Sequence, residues 1–224
     1  MSKPVVIYVN GIMHEPGSAD SWVRRAASWT TRKTRFDGEV FLYEAGPVTR
    51  RFTLNKRAKE LAQMIAEYSD NELHLAVHSN GGEVLTRALR EILQRPEAYP
   101  AAKIVSAHFL GPANDADFTK NWINSALIAG LVGHVHVYRA TDDDALKWGR
   151  ASRRLFGWIG LGYGDLGLVG PQNVEPSVVA RVHDHPGVAP CHTCFFDEQH
   201  FTKTLTFVLE NCDIAAGKME SKIA

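Results

Sequence analysis

The chain has 224 residues, and its 25 Lys plus Arg are balanced by 25 Asp plus Glu, so the formal charge at neutral pH is zero. That argues against a nucleic-acid binder working through a net positive field, and against a strongly basic membrane-surface protein. With 45% hydrophobic and 22% charged residues the chain reads as globular, not disordered, and no run approaches the roughly 18 apolar residues of a membrane-spanning helix.

The length points to a single domain over 1–224. The start, Met-Ser-Lys-Pro, is followed by no apolar segment long enough for a secretory signal. Three cysteines (Cys191, Cys194, Cys212) are too few for a disulfide framework, and an odd number leaves one unpaired. A cytoplasmic protein is the expectation.

Short β-branched runs alternate with segments of helical period. Val5–Asn10 is a near-continuous apolar run, the pattern of a strand buried on both faces. Glu39–Tyr43 is the next strand. Leu54–Tyr68 carries Leu54, Ala58, Leu61, Ala62 and Ile65 at helical spacing. Leu73–Val77 is extended. Val84, Leu85, Ala88, Leu89 and Ile92 then form one helix face, which Pro96 stops. Ile104–Leu110 is a strand closed by Gly-Pro. A helix is predicted over Phe118–Ile128, a strand over Val135–Tyr138 and a helix over Ala145–Phe156. Val178–Val182 is the last predicted strand and Glu198–Glu210 the last helix.

Six strands separated by helices give an α/β fold: a mostly parallel central sheet with helices on both faces, three layers α/β/α. Such sheets bind ligands at the carboxyl ends of their strands, so the residues after each strand carry the chemistry. After the third strand come His78-Ser79-Asn80-Gly81-Gly82 and a helix. A serine between strand and helix, followed by glycines, fits the sharp turn that lifts a nucleophilic hydroxyl above a sheet. Val77 stands where the G-x-S-x-G pattern has its first glycine, and a helix N-cap serine would give the same local sequence. In a hydrolase of this kind the loop after the first strand (Asn10-Gly11-Ile12) gives one N–H to an oxyanion hole, and the residue after the serine gives the other. Those positions are Ile12 and Asn80.

The fifth strand leads to Asp142-Asp143-Asp144, any of which could orient a histidine or cap the next helix, one task to each. Asp115 and Asp117 are a second acidic group. Four histidines compete as general base in the loop after the last strand: His183, His185, His192 and His200. His192 is favoured by its late place before the aromatic residues and the final helix, while His200 falls in the helical pattern. The order Ser79, Asp143, His192 is the chain order of α/β-hydrolase triads.

These residues resemble a small serine hydrolase of the α/β-hydrolase fold, over most of the chain and most closely an esterase-like bacterial branch. Gly111-Pro112-Ala113-Asn114-Asp115 with Phe118, Asp143-Asp144-Ala145-Leu146, and His192 before Phe195-Phe196 carry that match. The resemblance implies Ser79 as nucleophile, Asp143 as acid and His192 as base, with no metal or organic cofactor and a small-molecule acyl substrate. Asn10 departs from the pattern, where a histidine often precedes the oxyanion-loop glycine. The stretch 148–176 is the place for a small lid. Against this stand a catalytically silent binding module on the same fold, a zinc site from His183, His185, Cys191 and Cys194, and a dinucleotide fingerprint at Gly162-x-Gly164-x-x-Gly167 that follows no strand.

Overall fold

Five apolar residues in a row, Val5–Val9, form the first strand (β1), and all five are buried. The structure, a computed structural model, describes residues 3–11, 21–43, 50–147 and 164–218. Five further strands are β2 (Asp37–Phe41), β3 (Leu73–His78), β4 (Ile104–Leu110), β5 (Val132–Ala140) and β6 (Val182–Ala189). They make one six-stranded sheet in the order β2-β1-β3-β4-β5-β6, and every neighbouring pair is parallel. The predicted fold class is the observed one.

Alternation along the strands divides the core in two. Val5, Ile7 and Val9 face a layer made by α2 (Arg50–Glu67), α3 (Gly81–Gln94) and α4 (Ile123–Ile128), where Leu61, Ile65, Leu85 and Leu89 pack. Val6 and Tyr8 face α1 (Trp22–Lys33) and the final helix, Phe201–Ala215, with Val23, Leu205 and Val208. A four-residue helix, α5 (Leu166–Val169), leaves the final helix as α6. Among the described residues no helix is long and apolar enough to cross a membrane.

Several elements differ from expectation. Helix α1 was not foreseen. It buries only Val23, Ala26, Ala27 and Thr30, and its hold on the sheet is one of close approach. A Cβ at Gly38 of β2 would lie 2.4 Å from the Ala27 carbonyl oxygen, and Tyr8 and Thr30 share a buried hydroxyl hydrogen bond of 2.6 Å. The helix predicted over 118–128 is only its second half. Trp122 takes a left-handed φ of 62°, and the Asn121 carboxamide oxygen accepts the Ile123 N–H, so the chain turns before the helix opens. The run Val178–Val182, predicted as a strand, lies mostly in a 3₁₀ turn (Pro176–Arg181), and β6 follows it. That strand contains Pro186 and Gly187 and sits at the sheet's edge, where a residue without N–H costs no ladder bond.

Candidate active site

β3 delivers Ser79 to the carboxyl edge of the sheet. Its N–H donates to the Leu110 carbonyl at 3.1 Å, continuing the pairing with β4, and its carbonyl accepts from Gly82 and Ala113 N–H groups, each at 3.2 Å. Between those anchors the backbone is forced into φ 51°, a region that non-glycine residues seldom occupy. Strain of this kind persists only where the surroundings over-determine it.

The glycines after the serine are required by crowding. A Cβ at Gly81 would lie 2.6 Å from the Asn10 carbonyl oxygen, and one at Gly82 would lie 2.1 Å from Asn114 Oδ1. Val77, the departure from the motif, is fully buried in the core with α3 overhead. Its side chain alternates away from the turn and crowds nothing. Asn10, the other departure, ties two strand ends together. Its Nδ2 donates to the carbonyls of Gly11 (3.0 Å) and Tyr43 (3.1 Å), and its Oδ1 accepts the Tyr43 N–H at 3.2 Å.

The acid loop and the base loop run side by side. Thr141 and Asp142 N–H groups donate to the carbonyls of Ala189 (2.7 Å) and Pro190 (3.0 Å). This brings His192 Nδ1 to 2.7 Å from Asp143 Oδ2. The carboxylate can only accept, so Nδ1 carries the proton and Nε2 is left as the basic nitrogen. The Asp143 side chain is buried and the His192 ring is 14% exposed. One aspartate was expected to orient and another to cap; Asp143 makes both contacts. Its Oδ1 accepts the Leu146 N–H at 2.9 Å, capping the helical turn at 144–147. Asp142 and Asp144 are exposed and both pair with Lys147.

The other candidates are occupied elsewhere. Asp117 is held by Thr119 and Lys120 in a local turn, and Asp115 accepts the Asp117 N–H. His200 binds Asp197 at the start of α6. His183 and His185 lie on β6, not in the loop, and face His134 and His136 of β5 at 3.3 and 3.2 Å. Cys191 and Cys194 are joined as a disulfide that encloses His192, and Cys212 is free. The zinc arrangement of these histidines and cysteines therefore does not assemble. Of the dinucleotide fingerprint, Gly164 and Gly167 pack against the Asn114 and Pro112 carbonyls, and Gly162 lies outside the described residues. Asn80 follows Ser79 and opens α3, whose N-terminus faces the turn. Ile12 and 148–163, most of the lid segment, lie outside the described residues.

The sequence reading passed over His78. Its ring stands 4.8 Å from that of His192, and its Nε2–H donates to the His192 carbonyl at 3.1 Å. Trp22 and Phe196, stacked at 3.9 Å, close around it. The signal was present: alternation puts residue 78 on the face opposite Val77, toward the base loop. Among the described residues no hydrogen bond joins Ser79 Oγ to His192.

A parallel α/β sheet with a strained serine at a strand-to-helix turn and an Asp–His pair beside it defines the α/β-hydrolase class. The chain belongs to the family described as alpha/beta hydrolase of unknown function (DUF900), whose model matches residues 12–166. No functionally curated protein is matched. The structure is similar to an Agrobacterium vitis S4 protein described as a hydrolase (TM-score 0.57, 12% identity, covering 93% of this chain and 87% of that one). It is also similar to a hyperthermophilic esterase of Pyrobaculum calidifontis (TM-score 0.51, 14% identity, 96% and 75% covered). A third similar structure is carboxyl esterase 2 of Tuber melanosporum (TM-score 0.50, 13% identity, 95% and 79% covered). At these identities the likeness is one of fold.

Proposed function

We propose that this hydrolase cleaves carboxylic esters of small molecules through an acyl-enzyme on Ser79. The observation that carries this is the 2.7 Å His192–Asp143 contact beside a serine held at positive φ. His192 Nε2 takes the hydroxyl proton as Ser79 Oγ attacks the acyl carbonyl. Asp143 holds the tautomer and stabilises the imidazolium. The Asn80 N–H, with that of Ile12, receives the developing oxyanion, a term worth about 2.7–4 kcal/mol per donor in a model protease. His192 then protonates the leaving alcohol. Water, deprotonated by the same ring, releases the acid and restores Ser79. Neither a metal nor an organic cofactor has a step in this sequence.

The test is labelling with a fluorophosphonate probe, followed by a panel of chromogenic acyl esters graded by chain length. Adduct formation at Ser79, abolished in Ser79→Ala and at least tenfold slower in His192→Ala, is the expected result. A folded protein that never labels, and turns over no ester in the panel, assigns the fold to a non-catalytic module instead.

A further inference from the structure

On the face of the sheet covered by α1 and α6, a polar row interrupts the apolar core. His74 comes from β3, Ser106 and His108 from β4, and Cys212 from the last turns of α6, and all four are 0% exposed. His74 Nδ1 lies 2.6 Å from Ser106 Oγ, and His108 Nε2 lies 2.7 Å from the same oxygen. Cys212 Sγ is 3.3 Å from His108 Nε2. One donor atom from each of His74, His108 and Cys212 falls within 4.8 Å of the others. We propose that these three side chains, with Ser106 Oγ as fourth donor, form a buried binding site for a thiophilic divalent ion of the zinc type.

Three features support an ion over a hydrogen-bonded chain alone. The donors converge from three separate elements, as structural zinc ligands do, and the ion would pin α6 to the sheet. Bond lengths of ~2.0–2.3 Å in a tetrahedron require ligand-to-ligand edges of roughly 3.3–3.7 Å. The Cys212–His108 separation of 3.3 Å is at the lower end of that, Ser106 must recede by well under 1 Å from each ring, and the separations among His74, His108 and Cys212, up to 4.8 Å, must close by about 1 Å. The outer partners are also in place. His74 Nε2 faces Glu72 Oε1 at 3.4 Å, and His108 Nδ1 faces the Tyr138 hydroxyl at 2.9 Å. A carboxylate or hydroxyl behind each imidazole fixes the ring and raises its basicity toward a metal.

The donor set selects for a soft or borderline ion over magnesium or calcium. Burial already holds both imidazoles neutral, so binding displaces a single proton. The Cys212 S–H gives it up to solvent and the S–metal bond forms. Because the Ser106 hydroxyl has one hydrogen for two ring nitrogens, one imidazole donates to it before binding and moves that proton to its outer nitrogen, toward Glu72 or Tyr138, so that both inner nitrogens bring lone pairs to the metal. The residual single positive charge faces Glu72 through His74. Along β3 the site lies five residues before Ser79, about 16 Å away at strand rise. It does not depend on the hydrolase assignment.

Because the site is closed, the test refolds the full chain, without reductant, in the presence of zinc or cobalt. With Cys191 and Cys194 bonded to each other, Cys212 is the free thiol, so a thiolate-to-cobalt charge-transfer band in the wild-type protein reports this site alone. The expected result is one equivalent of zinc retained after gel filtration, and a near-ultraviolet sulfur–cobalt band with tetrahedral visible bands. Cys212→Ser should lose the sulfur band, and His108→Gln should retain at least tenfold less metal. A refolded wild-type protein that binds less than a tenth of an equivalent overturns the proposal. So does binding without the sulfur band, or binding that survives in Cys212→Ser and is lost in His134→Gln, which would place the ion on the half-exposed His134–His183 pair. Where the variants fail to fold, the wild-type cobalt spectrum decides.

Discussion

The residue before the candidate nucleophile grips the backbone of the candidate base: His78 Nε2–H donates to the His192 carbonyl, with the two rings 4.8 Å apart. Strand β3 thus sets the height of Ser79 and the seat of His192 through adjacent residues. His78→Leu keeps a side chain between Trp22 and Phe196 but removes the donor. It should lower kcat about tenfold or more with KM little changed, since small misplacements of a catalytic group are costly. Steady-state kinetics on the best ester of the panel check this; an unchanged kcat removes the positioning role.

Asp143 makes two bonds that substitution can separate. Asp143→Asn retains an oxygen for the Leu146 N–H but no longer fixes the His192 tautomer, so stability should hold while kcat falls by on the order of 10⁴-fold, as for the equivalent change in a serine protease. Asp143→Ala should lose the cap as well, about 1 kcal/mol. Asp142→Asn and Asp144→Asn break only exposed ion pairs with Lys147 and should leave both kcat and Tm unchanged. Thermal melts and kinetics on the four variants test the division.

Gly81→Ala drives a methyl group to 2.6 Å from the Asn10 carbonyl and 3.1 Å from that of Val9. Both obstacles are backbone, so α3 must move off β1. A loss of about 1–3 kcal/mol is expected by urea denaturation, the range for overpacking, together with loss of probe labelling because Asn80 moves too. Wild-type stability in the variant would show that α3 is free to shift.

The histidine row makes the fold acid-sensitive. Burial lowers His74, His108, His134, His136, His183 and His185 below 6.5, His185 to about 4, and in several the neighbouring histidines add to the effect. Such groups are neutral when folded and bind protons once unfolded, so stability is full above pH 6.5 and declines as pH falls below it. The lowered carboxyls, Glu72 and Asp117, begin to count only below their ordinary values near 4. The window between ~4.5 and 6.5 therefore belongs to the histidines. Urea midpoints taken across it should fall steadily, and a flat profile would contradict the packing of the row.

Reduction of the Cys191–Cys194 bond frees the loop that carries His192. A four-residue loop adds at most about 2 kcal/mol by chain entropy, so Tm should move little while ester turnover drops several-fold and returns on reoxidation. Assays with and without reductant, and in Cys191→Ser, separate the two effects.

Much of this was legible along the chain because it is written locally. β1 is a continuous apolar run, and β3 and β4 are mostly apolar and buried, interrupted only by His74, His78, Ser106 and His108. Ser79 was found from strand, turn and helix signals in immediate succession. Elements held by contacts distant in sequence were not legible. Helix α1 does place Val23, Ala26, Ala27 and Thr30 at helical spacing, but these are small residues and a hydroxyl fitted to Gly38 and Tyr8, and a face so poor in large apolar side chains announces its burial weakly. β6 reads as a loop because Pro186 and Gly187 are tolerated only at an edge, and edge position is a property of the sheet. The choice of Asp143 among three neighbours rested on resemblance; only the pairing of 141–142 with 189–190 shows why that carboxylate turns inward. The Asp143–His192 bond, the grip of His78 on His192 and the contact of His74 with Ser106 all join residues more than 30 positions apart.

The outermost strand has a consequence for how copies of this chain meet. β6 offers Pro186, which has no hydrogen to donate, then Gly187 at φ 70°, which bends the rim, and Asp184 bound to Arg139. A neighbour's extended segment would find an interrupted template there and could not zip along it. Lateral growth of the sheet from one molecule into the next is blocked on that side by the same residues that disguised the strand.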